Sequence, residues 1–420
     1  MSEFIYSIRY NKAKVAPKIS NQVAWENAAT YINKLDFILE PEWHAGSYYV
    51  QESSSMFLGY ILEQISVEKQ DVIALDLCAA PGGKSTHILD KLNKNSILIS
   101  NELVPKRNAI LKENLIRWGN SNVIVTQNET KYFNSFNQFF DVVVVDAPCS
   151  GEGLFKRNPD AMKEWSEENV AMCATRQREI LQHIIPAIRE DGYLIYSTCT
   201  FQQCENEDQI SFLLQNGFEL VDIDASTFEE ISSGSIKNTF RFELEKVKGS
   251  GFFIACLRKI KSSNNYSINQ TNKIFYNKIE TIQFKNLGEW IENSEQYNTY
   301  SFKENLYIIN KKFDSILYAI KNNLYITYFG VEIGILKKDI FIPAHALALS
   351  TVINKSIDKV EVDKKIAVNY LKKNEIQLEY NKQKSTWCII QHVQLNIGWI
   401  KILQNRVNNY LPNHWRILKQ

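Results

Sequence analysis

The feature that most constrains the fold is a series of short, almost continuously apolar segments separated by helical patterns. These segments occupy residues 71–78, 96–102, 122–127, 140–148 and 192–199. Two of the stretches between them, 84–92 and 104–119, repeat apolar residues at helical spacing. Strands that are apolar throughout and alternate with helices are typical of a parallel sheet covered on both faces. The pattern therefore predicts a doubly wound α/β domain over residues 71–260.

The regions beyond this pattern differ in composition. Residues 241–260 predict an antiparallel pair of strands that closes one edge of the sheet. Residues 261–273 are polar and predict a linker, and short strand-like pieces predict a small β-rich module from about residue 320. We divide the chain into residues 1–70, a catalytic domain at 71–260, a linker and connecting subdomain at 261–320, and a C-terminal domain at 321–420.

Composition excludes several classes of protein. Hydrophobic residues make up 45% and charged residues 23% of the chain, as in folded globular proteins. The N-terminal residues lack the apolar core of a signal peptide, and no apolar run is long enough to cross a bilayer. We therefore predict a cytoplasmic protein that does not bind membranes. The seven cysteines include no CxxC pair and the six histidines are scattered, which argues against a disulfide framework and predicts no metal site.

Charge is distributed unevenly along the chain. The first 260 residues contain 26 Lys and Arg against 34 Asp and Glu, whereas the last 160 contain 22 against 13. A basic C-terminal third is compatible with a merely solvated lysine-rich surface and also with a surface that faces phosphates. The charge alone leaves both interpretations open.

The segment DLCAAPGGKST, residues 76–86, follows the first predicted strand and opens the first helix, where open α/β sheets bind nucleotides. It fails the P-loop pattern because Cys78 stands where a glycine is required, and it lacks the third glycine of a dinucleotide fingerprint. Glu102 ends the second predicted strand, where a carboxylate can bind ribose hydroxyls. The combination predicts S-adenosylmethionine as cofactor; the alternative for Glu102 is an ordinary solvated acid.

Two cysteines follow neighbouring predicted strands. Cys149 comes after the fourth strand and Cys199 ends the fifth, so parallel strands would bring both to the sheet edge that carries the cofactor loop. A thiolate beside a methyl donor suits covalent catalysis on a pyrimidine, in which sulfur adds to C6 and C5 accepts the methyl group. Free cysteine is mostly protonated at neutral pH, so nearby positive charge is needed. The candidates are Lys84, Lys156 and Arg157.

Asp146 lies at the end of the fourth predicted strand, three residues before Cys149. There its carboxylate could bind the exocyclic amine and N3 of cytosine and so select cytosine over uracil. The structural alternatives are a loop-capping aspartate and cysteines that pack as small hydrophobic residues. The residues alone leave these alternatives open.

Four segments resemble the signature motifs of the Nop/Sun family of RNA cytosine-5 methyltransferases: DLCAAPGGKST, DAPCSGEG, NPDAMKEW and YSTCTFQQCENE. Residues 43–56 are similar to an N-terminal segment of that family, and residues 330–349 and 398–412 resemble the C-terminal extension of its bacterial RsmF type, which methylates 16S ribosomal RNA. The resemblance implies a Rossmann-like class I methyltransferase domain. It also implies a small N-terminal α+β segment that binds RNA and a C-terminal α+β PUA-like RNA-binding module.

The resemblance implies roles for individual residues as well. Cys199 is the expected nucleophile, and Cys149 is expected to help release the product. The implied cofactor contacts are Cys78, Ala79, Ala80, Pro81, Gly82, Gly83, Lys84, Glu102, Glu129 and Asp146.

The expected partner is RNA, most specifically 16S ribosomal RNA or the small ribosomal subunit, bound by a monomer. Residues 408–420 interleave aromatic and basic side chains that could face RNA. Two other functions fit the same sequence: methylation of a tRNA cytosine, and a non-catalytic RNA-binding factor for ribosome assembly.

Overall fold

The computed structural model describes residues 5–33, 36–157, 160–260, 275, 277–338, 340–378, 386–404 and 406–419. The predicted linker at 261–273 lies outside these ranges. Within them the strands form four sheets, of which the largest has ten strands. No helix in the described part of the chain has the length and apolar character needed to cross a membrane.

The N-terminal residues form a small antiparallel sheet in the strand order β2-β3-β1-β4. The elements of this N-terminal region are β1 (Tyr6–Tyr10), β2 (Gln22–Val23), β3 (Glu26–Ile32), α1 (Pro41–His44), β4 (Tyr48–Val50) and α2 (Phe57–Gln64). Arg9 on β1 is fully buried, donates to Gln51 Oε1 at 2.9 Å and Thr86 Oγ1 at 2.7 Å, and pairs with Asp90. Because Thr86 and Asp90 belong to the first helix of the next domain, this buried arginine fixes the small sheet to that domain.

The next domain contains the central sheet. Its elements are β5 (Ile73–Asp76), α3 (Gly83–Lys91), β6 (Ile97–Asn101), α4 (Pro105–Trp118), β7 (Val123–Thr126), β8 (Phe140–Asp146), α5 (Ala161–Glu164), α6 (Glu167–Ile184), β9 (Ile188–Thr198), α7 (Glu207–Gln215), β10 (Phe218–Leu220), β11 (Ile231–Ser233), β12 (Thr239–Phe242) and β13 (Phe252–Lys259). Five strands are parallel in the order β7-β6-β5-β8-β9, and β12 and β13 form the predicted antiparallel pair. The predicted α/β class is confirmed.

Burial explains why these strands are so uniformly apolar. The four valines of β8, Val142 to Val145, are each at most 1% exposed. Successive side chains of a strand point to opposite faces, so both faces of β8 are covered. The strand order reverses between β5 and β8. Open α/β sheets bind ligands at such a reversal, beyond the carboxyl ends of the strands.

The C-terminal region contributes two further sheets, β14-β15-β16-β18-β19 and β20-β21-β22-β23. Its elements are β14 (Ile279–Ile282), α8 (Leu287–Trp290), β15 (Tyr297–Phe302), β16 (Asn305–Asn310), α9 (Asp314–Asn323), β17 (Ile326–Phe329), β18 (Val331–Lys337), β19 (Ile340–Pro343), α10 (His345–Leu349), β20 (Lys359–Glu361), α11 (Lys364–Leu371), β21 (Thr386–His392), β22 (Leu395–Ile402) and β23 (Val407–Asn409). Three strands, β14 to β16, fall where the sequence indicated only a connecting subdomain. In addition, β17 pairs antiparallel with β7 and becomes an edge of the central sheet. The predicted domain bounds stay a prediction.

Candidate active site

The loop between β5 and α3 is shaped by side chains of α4. Gly82 caps α3 with a φ of +111°, a left-handed conformation that favours glycine. Arg107 donates to the Ala80 carbonyl at 2.8 Å, and Asn114 donates to the Pro81 carbonyl at 2.8 Å. The backbone of the predicted cofactor loop is therefore held from outside by two side chains of one helix.

A cavity of about 490 Å³ lies beside this loop, and its walls include Cys78, Glu102 and Glu129. Glu102 is only 5% exposed, and its Oε1 atom accepts a hydrogen bond from the Val104 N–H at 2.9 Å. Glu129 forms an ion pair with Lys131 at 2.6 Å. Two of the three acids predicted to contact the cofactor thus line one cavity, whose size is within the range of small-molecule sites.

A second cavity, of about 360 Å³, adjoins the first. Cys78 and Arg107 line both cavities. The other predicted site residues in its walls are Ala79, Ala80, Pro81, Gly83, Lys84, Asp146, Arg157 and Cys199. The predicted cofactor loop is therefore shared between two cavities, with most of its residues facing the second one. Ligands bound in the two cavities would be neighbours.

The two thiols meet at the edge of the sheet. The Cys149 and Cys199 Sγ atoms are 2.9 Å apart, and the Cys199 N–H donates to Cys149 Sγ at 3.2 Å. This follows from the parallel pairing of β8 with β9, which aligns Asp146 with Ser197 just before the two cysteines. The hydrogen bond with Cys199, burial and the charge of Cys199 raise the pKa of the Cys149 thiol well above its ordinary value. Cys149 therefore keeps its proton at neutral pH.

Asp146 and Lys84 form an ion pair in the second cavity, with Nζ 2.8 Å from Oδ2. Ser197 donates to the other carboxylate oxygen of Asp146 at 2.8 Å. Burial lowers the pKa of Lys84, but the neighbouring Asp146 carboxylate outweighs burial, and the net pKa is raised. Lys84 Nζ also lies 4.9 Å from the ring centroid of Phe252. The site thus holds a fixed cation and a fixed carboxylate beside the thiols.

Lys156 lines neither of the two cavities. Its Nζ donates to the Val247 carbonyl at 3.0 Å and to the Leu244 carbonyl at 3.5 Å. Its neighbour Arg157 lines the second cavity instead. Lys84 and Arg157 are thus the two candidate cations that line the second cavity, and the predicted role of Lys156 stays a prediction.

The sequence-based prediction did not name several residues that line the cavities, and two of them, Arg107 and Phe252, contact predicted site residues. Arg107 lines both cavities and also approaches Glu102, with 3.5 Å between NH1 and Oε2. Its place one turn into the helix that follows Glu102 is a signal that could have found it. Phe252, which follows the glycines of KGSG, lines the second cavity. No local pattern in the sequence brings it there, because it arrives on the antiparallel strand β13.

The fold and the site define the class of protein. A parallel sheet in this order, a cavity at the strand reversal and an adjoining cavity beside two thiols are the features of a Rossmann-like α/β enzyme whose ligand site lies at the carboxyl edge of the sheet. Within the described ranges, no group of three or more His, Cys, Asp or Glu side chains is arranged to hold a metal ion.

Comparison with known families gives the more particular assignment. Residues 63–258 match the family described as 16S rRNA methyltransferase RsmB/F, and residues 358–417 match the methyltransferase RsmF PUA domain. Together the two matches cover more than half of the chain. The chain therefore contains a domain of the RsmB/F family of methyltransferases and a C-terminal PUA domain of the RsmF type.

Individual relatives agree with this assignment. A ribosomal RNA small subunit methyltransferase F from Vibrio vulnificus is 36% identical over 244 residues, which are 54% of this chain and 49% of that protein. This match therefore spans about half the length of the relative. A protein of the same name from Vibrio cholerae is 28% identical over 88% of this chain and 79% of its own length. The crystal structure of a methyltransferase homolog from Pyrococcus horikoshii is 26% identical, with a TM-score of 0.52, and covers 62% of this chain and 88% of that one.

Proposed function

We propose that the protein uses S-adenosylmethionine to methylate C5 of a cytosine in RNA, through a covalent bond between Cys199 and C6 of the base. The observation that carries this proposal is the pair of thiols 2.9 Å apart beside two adjoining cavities. One cavity would take the methyl donor and the other the target base. Transfer between two bound ligands requires adjoining sites of this kind.

The first cavity suits the cofactor. Glu102 would accept hydrogen bonds from the ribose hydroxyls, Glu129 would face the adenine side, and apolar walls such as Ile180 would contact the base. At the start of the loop, Asp76 is completely buried, and its Oδ1 atom has no hydrogen-bond partner among the described atoms. S-adenosylmethionine, when bound, supplies an electrophilic methyl group.

In the second cavity, Cys199 Sγ would bond to C6 of cytosine, and the electrons of the C5–C6 double bond would move to C5. C5 would then form its bond to the methyl group while the bond between that methyl group and the sulfonium sulfur of the donor breaks, which leaves a neutral thioether. Loss of the C5 proton returns an electron pair to the ring, and the bond between sulfur and C6 breaks. Asp146, fixed by Lys84 and Ser197, would accept from the exocyclic amine, which uracil lacks.

Cys149 would take part in the release step. The hydrogen bond to the Cys199 thiol is the first cause of the raised pKa of Cys149. Once Cys199 is bonded to C6, that hydrogen bond is gone, so the pKa of Cys149 would fall. A larger fraction of Cys149 would then have lost its proton to solvent, and the thiolate so formed could accept the proton from C5.

Ribosomal RNA is the substrate we propose. The matched relatives are named for the small ribosomal subunit, and the PUA match lies in the basic C-terminal third. Basic side chains there would bind phosphates. A cytosine inside a helix hides C5 and C6, so the target must be unpaired or turned out of the stack.

The proposal is tested by incubating the purified protein with labelled S-adenosylmethionine and with 16S RNA, small ribosomal subunits or tRNA. We expect label on a cytosine of the ribosomal substrates and none with Cys199→Ala. Label on tRNA alone would show that tRNA, and not ribosomal RNA, is the substrate. Binding of RNA without label on any of the three RNA substrates would favour a non-catalytic assembly factor. Bisulfite sequencing of RNA from cells that lack the protein then identifies the nucleotide.

A further inference from the structure

The two thiols lie on loops that contact each other through polar side chains. We define the Cys149 loop as residues 147–154, after β8, and the Cys199 loop as residues 199–206, after β9. Each loop carries one glutamate, Glu152 on the first and Glu205 on the second. Neither carboxylate touches a cation in any described ion pair, so their roles lie in hydrogen bonds.

Glu205 reaches from the Cys199 loop to the residue after Cys149. Its carboxylate accepts the Ser150 N–H at 3.0 Å, the Ser150 hydroxyl, and the Gln177 side-chain amide at 2.8 Å. The Glu205 side chain is completely buried. A buried carboxylate that accepts several hydrogen bonds holds its donors firmly, because an unsatisfied charge there is costly.

Glu152 makes the converse contact, from the Cys149 loop to the residues after Cys199. Its Oε2 atom accepts the Thr200 hydroxyl at 3.2 Å and the Phe201 N–H at 3.1 Å, and its Oε1 atom accepts the Gln202 amide at 2.6 Å. The Ser150 and Thr200 hydroxyls are themselves 2.9 Å apart. Each loop therefore supplies a carboxylate that binds a backbone N–H and a hydroxyl of the other.

From this reciprocity we infer that Glu152 and Glu205 are positioning residues that set the separation of the two thiols. Each carboxylate accepts hydrogen bonds from the residues directly after the cysteine of the opposite loop. Loss of either carboxylate therefore allows one loop to shift relative to the other. The inference about thiol geometry rests on the contacts alone. Its consequence for catalysis rests on the proposed function.

The geometry can be measured without the reaction. Phenylarsine oxide binds two nearby thiols by forming two arsenic–sulfur bonds and releasing water, and binds single thiols much more weakly. We expect tight binding of one equivalent by the wild type, and Cys149→Ser and Cys199→Ser give the single-thiol baseline. Glu205→Gln and Glu152→Gln should each weaken this binding by ~10-fold or more, as expected for the loss of a charge-assisted hydrogen bond.

The matched control is Asp141→Asn. Asp141 is a buried carboxylate at the opposite end of β8, where it accepts the Ile73 N–H at 2.6 Å and pairs with Arg189. Its loss should leave the affinity for the arsenical unchanged. The Tm of each variant, measured by thermal unfolding, shows whether a change in arsenical affinity comes from the loops or from general destabilisation of the protein. If Glu205→Gln does not fold, Glu152→Gln, at a less buried position, decides the question.

The outcomes are distinct. Unchanged arsenical affinity in folded Glu152→Gln or Glu205→Gln would overturn the inference, even if methylation falls. Weakened affinity in these variants but not in Asp141→Asn supports it, whether or not the wild type methylates RNA. Where the wild type does methylate, the same variants should lose turnover while their KM for S-adenosylmethionine stays near that of the wild type.

Discussion

Asp146 is the residue at which several parts of the site meet. It ends β8, pairs with Lys84 of the cofactor loop and accepts a hydrogen bond from Ser197 of β9. Three elements thus fix one carboxylate in the second cavity. A group held this firmly is preorganised, so it costs little to align when a base binds.

Replacing Asp146 with Asn keeps the shape of the side chain but changes one of its two acceptor oxygens into a donor and removes the ion pair with Lys84. We expect Asp146→Asn to lower kcat/KM for the RNA by ~10- to 100-fold, since hydrogen bonds to charged groups contribute about 1.5–3 kcal/mol. Ser197→Ala, which removes only the hydroxyl donor, should lose less. Equal kcat/KM for wild type and Asp146→Asn would contradict the proposed role.

Asp76 makes the stability dependent on pH. Burial raises the pKa of Asp76 from 3.8 to about 7. The folded protein therefore binds this proton more tightly than the unfolded chain, and the resulting stabilisation is complete below about pH 4 and lost as the pH rises through 7.

Asn cannot ionise, so Asp76→Asn escapes this loss. We expect the free energy of unfolding of the variant, relative to that of the wild type, to increase between pH 4 and pH 8. The increase should be roughly 4 kcal/mol if Asp76 titrates alone. Urea denaturation at several pH values measures the difference. A difference that stays constant with pH would show that Asp76 is ionised in the folded state throughout.

For single residues, the sequence predicted which residues lie at the edge of the sheet better than it predicted which way their side chains point. Cys149, Cys199 and Glu102 lie where their positions at strand ends predict, because parallel strands align their carboxyl ends. Lys156 and Arg157 are neighbours in sequence, yet only Arg157 lines the cavity. Which of two adjacent loop residues faces a cavity depends on tertiary contacts, here the carbonyls that bind Lys156.

Among the elements, the pairing of β8 with β9 decides whether the two cysteines meet. Their loops also touch directly, since the Gly153 N–H donates to the Cys199 carbonyl at 2.8 Å. A Cβ atom at Gly153 would lie 2.3 Å from the Gly251 carbonyl oxygen and 2.9 Å from that of Cys199. The contact between the loops therefore requires glycine.

Gly153→Ala should push the two loops apart. We expect a loss of turnover of ~10-fold or more with cofactor affinity unchanged, because the first cavity does not include this residue. The control is Gly288→Ala, where the nearest atom to an added Cβ is the Ser294 hydroxyl at 3.3 Å. Single-turnover rates and cofactor titrations distinguish the two. Full turnover in Gly153→Ala would show that the loops tolerate the separation.

Elements were predicted well where their pattern was strong. Strands β5 to β8 and the second half of β9 are buried on both faces, and their continuous apolar pattern identified them. Strands β14 to β16 contain many Asn, Thr, Ser and Tyr residues, so no comparable run marked them. The attachment of β17 to β7 could not be read from sequence, because it joins strands about two hundred residues apart by backbone hydrogen bonds.

Over the whole molecule, Arg117 links three regions. Its guanidinium lies 4.1 Å from the ring centroid of Trp43 in α1 and 4.9 Å from that of Trp415 near the C-terminal end of the described chain. Arg117 itself belongs to α4 of the central domain. Burial lowers its pKa to about 10, so it stays charged at neutral pH and its cation–π contacts persist.

We expect Arg117→Ala to destabilise the protein by about 1–3 kcal/mol, through loss of both aromatic contacts and of side-chain packing. Thermal unfolding measures this as a lower Tm. Arg258→Ala is the comparison, because Arg258 and its partner Glu219 are both nearly half exposed, and such a surface ion pair should contribute less than about 1 kcal/mol. Equal Tm values for both variants would show that Arg117 does not join the regions.

The measurement that tests the central claim most directly is the formation of a covalent adduct between protein and RNA. With S-adenosylmethionine and substrate RNA, Cys149→Ala should accumulate a complex that survives denaturing electrophoresis, since attack proceeds and release fails. Cys199→Ala should form none. An adduct with Cys199→Ala would reverse the two roles, and methylation by a protein that lacks both thiols would contradict covalent catalysis at this site altogether.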